Sequence, residues 1–198
     1  MLNTMMSDDT DKDEAQSAGT TADKLFFQSR SVIVAGAIDD KLAQRVTAQL
    51  LALAEESDDP INMFISSPGG HVESGDMVHD MIGFIKPTVR TIGTGWVASA
   101  GALIYVGAKK ENRFCLPNTR FLLHQPSGGI GGQVTDMLIQ AEQLKIMKER
   151  FNQLFSRATG QTPEKIAEDT QRDFWLTAQE AIDYGLAGEI ISSATELG

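Results

Sequence analysis

The chain has 198 residues, 41% of them hydrophobic, and a formal net charge of −10. The acidic balance argues against nucleic acid or an anionic membrane as a partner, because phosphate binding needs a basic face. The single cysteine, Cys115, excludes an internal disulfide, argues against a cysteine-based metal site and fits the cytoplasm. Residues 1–23 are polar and acidic, with Asp8, Asp9, Asp11, Asp13 and Glu14 close together. Such a segment buries too little apolar surface to fold and is predicted to be a disordered tail. Order is predicted from Leu25-Phe26-Phe27, with 24–198 forming one domain. No apolar run is long enough to span a bilayer, and the first residues lack the basic segment and apolar core of a signal peptide.

The β-branched run at 31–37 reads as a buried strand. Asp39 or Asp40 caps a helix to about residue 56, with Leu42, Val46, Leu50 and Leu53 at helical spacing. A second strand at 61–66 ends in the turn Ser67-Pro68-Gly69-Gly70, followed by a helix over 73–85 that Pro87 stops. A third strand, 89–95, leads to Ser99 and a helix-like run to Gly107. Phe114-Cys115-Leu116 and Phe121-Leu122-Leu123-His124 read as short strands, and a glycine cluster at 128–132 precedes a long helix over 134–159 with Gly160 as its stop. Pro163 opens a short helix, and Thr177 to Glu180 is a capping box for another that Gly185 closes. Strands alternate with helices, which predicts an α/β fold with largely parallel pairing.

Ser99 stands where a strand gives way to a helix. A serine there caps the helix by default. The same place, amid unpaired N–H groups at the positive end of a helix dipole, is also where an oxyanion is best stabilised. Of the three histidines, His79 falls inside an amphipathic helix, His71 follows a glycine turn, and His124 ends an apolar strand. His124 is placed as a general base would be, or as an ordinary strand-end histidine. Asp173, beside Phe174, Trp175 and Leu176, either accepts the histidine N–H and sets its tautomer or pairs with Arg172. No HExxH spacing, phosphate-binding loop, dinucleotide fingerprint or GxSxG elbow is present, so neither a metal nor another cofactor is expected. A Ser/His/Asp triad is compatible with what remains, without being singled out by it.

An ordered set of motifs narrows the choice. Ser66-Ser67-Pro68-Gly69-Gly70, Ile85-Lys86-Pro87, Ala98-Ser99-Ala100-Gly101-Ala102 and Arg113-Phe114-Cys115-Leu116-Pro117-Asn118 come first. His124-Gln125-Pro126, Arg172-Asp173, Glu180-Ala181 and Tyr184-Gly185-Leu186 follow in the same chain. Together, over about residues 30 to 190, they resemble the Clp protease proteolytic subunit, a serine peptidase. The resemblance implies a crotonase-like α/β spiral of βαβ-type units with a protruding strand–helix handle. It implies a serine endopeptidase that cuts unfolded polypeptides to short peptides inside a ring-shaped chamber. Ser99 would be the nucleophile, His124 the general base and Asp173 the orienting carboxylate. Gly70 and Ala100 would supply the oxyanion hole, Gly128, Gly129 and Gly131 a strand that pairs with substrate, and Arg172 a link between the rings and the triad. The implied partners are an AAA+ unfoldase that consumes the ATP, thirteen further copies in two stacked heptameric rings, and a paralogous subunit if the rings are mixed. The family's Tyr-Ser-Arg-Leu-Leu stretch is matched only by Ser29-Arg30, behind an acidic tail in place of the usual axial-loop segment. Two other classes stand beside this reading: a crotonase-fold acyl-CoA enzyme without a triad, and a catalytically silent ring subunit.

Overall fold

The computed structural model describes residues 24–129 and 131–197; the tail predicted to be disordered, 1–23, lies outside them. Strand β1 (Ser31–Ala35) ends two residues sooner than its β-branched pattern suggests, because Gly36 turns the chain at φ +82°. Helix α1 (Asp40–Glu56) then begins, with the Asp39 carboxylate accepting the Leu42 N–H at 2.8 Å. Its core face carries Leu42, Val46, Leu50 and Leu53, all buried. Each contributes about 2 kcal/mol of hydrophobic stabilisation. At its far end Arg30 donates to Leu53 O, which also accepts the Ser57 N–H, and to Ser57 O, at 3.0 Å each.

Strand β2 (Ile61–Ser67) pairs parallel with β1 and alternates cleanly, Ile61, Met63, Ile65 and Ser67 facing inward. Helix α2 (Val72–Phe84) follows the glycine turn. Strand β3 (Val89–Ala98) is longer than its apolar pattern predicts, for a physical reason. Along β2 it advances two residues, Ile65 to Ser67, where β3 advances four, Gly93 to Val97. Gly95, at φ +61°, sits in this bulge. The irregularity divides β3 between two neighbours: its first part pairs with β4 (Arg113–Cys115) and its last part with β5 (Arg120–Leu123). The bulge therefore lifts the end of β3, and with it helix α3 (Ala100–Tyr105), onto a separate arm of the sheet.

The described residues form a sheet of order β1-β2-β3-β4-β7, β7 being Glu189–Ile190, with β5 and then β6 (Phe174–Thr177) branching from β3. All pairings are parallel except β5 with β6. The long α4 (Val134–Thr159) ends at Gly160 in the left-handed conformation, as its sequence predicts. Only Phe151, Phe155 and Thr159 of it are buried, so its N-terminal part stands clear of the sheet. Helix α5 (Pro163–Asp169) opens on Pro163 as predicted, capped by Thr162, and α6 (Ala178–Tyr184) carries the predicted Thr177–Glu180 box. No helix among the described residues is long and apolar enough to cross a membrane.

Cys115 lies wholly inside this core, and burial pushes its thiol up to about 11. Unfolded thiols titrate near about 8.5. The folded chain therefore keeps a proton that the unfolded chain releases, a contribution complete below about 8.5 and lost as pH rises through about 11. Native protein at pH 8 is expected to resist a disulfide reagent that labels it at once in denaturant. Rapid stoichiometric labelling of the native chain would contradict this burial.

Candidate active site

Ser99 joins β3 to α3 with φ +54° and ψ −120°, a conformation non-glycine residues seldom adopt. Holding it costs about 1–3 kcal/mol. The capping role expected by default is not what this buys in structure: the Ser99 side chain makes no cap hydrogen bond. Its backbone N–H donates to Leu122 O at 2.9 Å, which docks the turn onto β5 two residues before His124.

The turn before α2 presses against it. A Cβ on Gly69 would fall 2.6 Å from Ser99 Cβ and 2.9 Å from Ala98 O, so only glycine fits. Ser67 Oγ fixes the turn, donating to Gly36 O at 2.7 Å and accepting the Gly69 N–H at 3.0 Å. Ile38 N donates to Gly69 O, and His71 N to Ile38 O, an isolated parallel bridge around Gly70. In such a bridge the flanking residues make the bonds, so Gly70's own N–H faces away from Ile38. Ala100 is the first residue of α3, whose N–H helix geometry leaves unpaired. Among the described residues no hydrogen bond takes up the Gly70 or Ala100 N–H, the two expected to form an oxyanion hole.

His124 and Asp173 meet by strand register. Leu123 pairs with Phe174 as the last pair of the antiparallel β5–β6 ladder, and His124 and Asp173 are the residues just beyond it. His124 Nδ1 lies 3.7 Å from Asp173 Oδ1, an ion-pair distance longer than a hydrogen bond. The His124 side chain is 31% exposed and that of Asp173 65%. Both line an open groove with Gln125, Ser127, Gln171 and Arg172. Asp173 thus turns to the histidine and not to Arg172. Among the described residues no hydrogen bond joins Ser99 Oγ to His124. His79 rests half-buried against the Asp80 carboxylate at 3.0 Å. His71 lies between Asp40 and Glu73, with its Nδ1 2.8 Å from Ser74 Oγ. The Ser74 hydroxyl and the histidine together hold the Asp40 carboxyl below its ordinary range. Among the described residues no group of three or more His, Cys, Asp or Glu is placed to hold a metal ion.

The segment expected to be a substrate-pairing strand carries no strand at its described residues, 128, 129, 131 and 132. Of these only Gly132, at φ +116°, needs glycine for its backbone. A Cβ on Gly129 or Gly131 would meet nothing within 4 Å. A small pocket is walled by Val72, Leu103, Pro126, Met147, Phe151 and Leu154. Asp76 and Arg150 complete its lining as an ion pair. Sequence reasoning missed the pocket. Its signal was Asp76, a carboxylate four residues after Val72 and so on the same helix face.

The parallel α/β sheet thus brings a serine with a positive φ and a His–Asp couple to neighbouring strand ends. The chain belongs to the Clp protease family, whose sequence profile matches residues 12–194. It is 73% identical over 166 residues to the ATP-dependent Clp protease proteolytic subunit of Paracoccus denitrificans, covering 84% of this chain and 83% of that protein. It is 57% identical over 195 residues to proteolytic subunit 3 of Rhizobium meliloti (strain 1021), covering 97% and 100%. In structure it resembles ClpP1 from Listeria monocytogenes, with a TM-score of 0.82, 50% identity and coverage of 89% of this chain and 99% of that one. The fold is accordingly the crotonase-like one expected.

Proposed function

We propose that this chain is the serine-type endopeptidase subunit of an ATP-dependent Clp protease, formed by residues 24–198 as one domain. The observation that carries the reading is the convergence of Ser99, the Gly69-Gly70 turn and the His124–Asp173 couple at the adjoining ends of β3, β2, β5 and β6. Ser99 Oγ attacks the scissile carbonyl while His124 takes its proton and Asp173 holds the imidazolium. The N–H groups of Gly70 and Ala100 receive the oxyanion. His124 returns the proton to the leaving amine, and water then hydrolyses the acyl-enzyme by the reverse proton path. Catalytic hydrogen bonds tighten in the loaded site, which accounts for the 3.7 Å His–Asp separation in the free chain. The open space around Gly129 and Gly131 leaves room for an extended peptide to pair with the backbone there, which reads no side chains and suits varied substrates.

Assembly follows from α4. Val134, Leu138, Ile139 and Ile146 are 69%, 67%, 57% and 48% exposed, an apolar run that a lone subunit leaves in water. Ring-on-ring packing of this helix in a fourteen-membered homo-oligomer would cover it, with Arg172, exposed beside Asp173, coupling contact to triad alignment. An AAA+ unfoldase in the cytoplasm would feed unfolded chains to the chamber. The acyl-CoA reading draws no support from relatives named as proteolytic subunits.

The test is a fluorophosphonate probe. It is expected to label one serine, mapped to the peptide holding Ser99, in protein that light scattering shows to be oligomeric. Absence of labelling in the assembled protein, alone and with an unfoldase, would sink the reading.

A further inference from the structure

The small pocket between α2, α3 and α4 shares its walls with the candidate site. Val72 lies two residues after Gly70, Pro126 two after His124, and Leu103 accepts its place one helical turn after Ser99, its N–H donating to Ser99 O at 3.1 Å. A pocket bounded by the oxyanion turn, the nucleophile helix and the base-bearing segment is where the side chain on the acyl side of the scissile bond falls. Its lining is apolar except at one wall. There Asp76 on α2, its side chain only 17% exposed, meets the guanidinium of Arg150 on α4. A carboxylate largely withdrawn from water is costly unless a cation answers it.

We infer that the Asp76–Arg150 pair determines specificity: by cancelling the carboxylate on the pocket wall, Arg150 keeps the pocket selective for uncharged apolar side chains. This rests on the peptidase reading above. Without Arg150 the wall presents a bare anion that selects lysine or arginine. Without Asp76 it presents a bare cation that selects glutamate. Arg150→Met keeps most of the apolar stem that packs beside Met147 and Phe151 while removing the charge.

The experiment compares fluorogenic peptide amides identical except for the last residue: norleucine, lysine, glutamine or glutamate. Norleucine and lysine share a straight four-carbon chain, so their ratio reads charge and not size. The full-length chain is expected to favour norleucine. In Arg150→Met the norleucine-to-lysine ratio of kcat/KM should fall about tenfold, and in Asp76→Asn the glutamate-to-glutamine ratio should rise about tenfold. The double variant should recover the norleucine preference. Each ratio is taken within one preparation, so the active fraction cancels and either single variant suffices. Equal loss on every substrate, unchanged ratios, or failure of both single variants to fold assigns the pair to structure alone and overturns the inference. If the unsubstituted chain neither cleaves any of the peptides nor takes the phosphonate, the peptidase reading fails and this inference goes with it.

Discussion

Peptide hydrolysis by Ser99→Ala, His124→Ala or Asp173→Asn is expected to fall by roughly 10⁴ to 10⁶ in kcat, with circular dichroism and assembly unchanged. Ser99 loses only an oxygen, and its side chain caps nothing, so alanine removes chemistry without removing a structural bond. Asp173 is exposed and its closest charged partner is His124 at 3.7 Å, so asparagine changes the imidazole tautomer and little else. The three losses should not add, because the groups act on one proton path; the double variant Ser99→Ala/His124→Ala should be about as slow as Ser99→Ala alone. A remainder of roughly 10³-fold over water should persist through the Gly70 and Ala100 N–H groups. Normal turnover in Ser99→Ala would remove the nucleophile from the mechanism.

The second large effect concerns Arg113, which is buried in β4 and, among the described residues, makes no ion pair within 4 Å. Its guanidinium donates to Ala108 O at 2.7 Å, Ala158 O at 2.8 Å and Leu186 O at 3.3 Å. Those carbonyls belong to the loop after α3, the end of α4 and the turn after α6. One side chain therefore gathers three segments that no strand ladder joins. Arg113→Met leaves the carbonyls buried and unanswered, at a cost of about 3 kcal/mol. In a chain of this size that lowers Tm by roughly 6–12 °C. Arg113→Lys should recover little, since an ammonium cannot span the same fork. Calorimetry of both variants checks this; a Tm within a degree of the unsubstituted chain would contradict it.

Much of this molecule could be read from local pattern. The caps at Asp39 and Thr177, the Pro163 start, the stops at Gly160 and Gly185 and the periodic face of α1 all depend on neighbours within a few residues. What escaped depends on residues far apart in sequence. Strand β6 hides its alternation, because the exposed Trp175 stands between the inward Phe174 and Leu176, and among the described residues it pairs only with β5. The β3 bulge is invisible until β2, β4 and β5 compete for one strand. At Ser99 the sequence marked a helix start correctly, but the positive φ and the unused hydroxyl arise from Leu122 and Gly69 pressing on the turn. The pocket pair, Asp76 and Arg150, lies on two helices whose meeting no local spacing announces.

Strand β6 has a bearing on how this protein is made. Asp173 is brought to His124 only by pairing of β6 with β5, and β6 is among the last elements the ribosome releases. The nucleophile turn, its glycine neighbour and the histidine all emerge earlier. On the proposed mechanism, a chain released only as far as β5 lacks the carboxylate that would orient the imidazole. With Asp173 as the orienting group, a half-made subunit exposes a serine but not a competent one. On that reading, the order of the chain itself delays activity until β6 has been made.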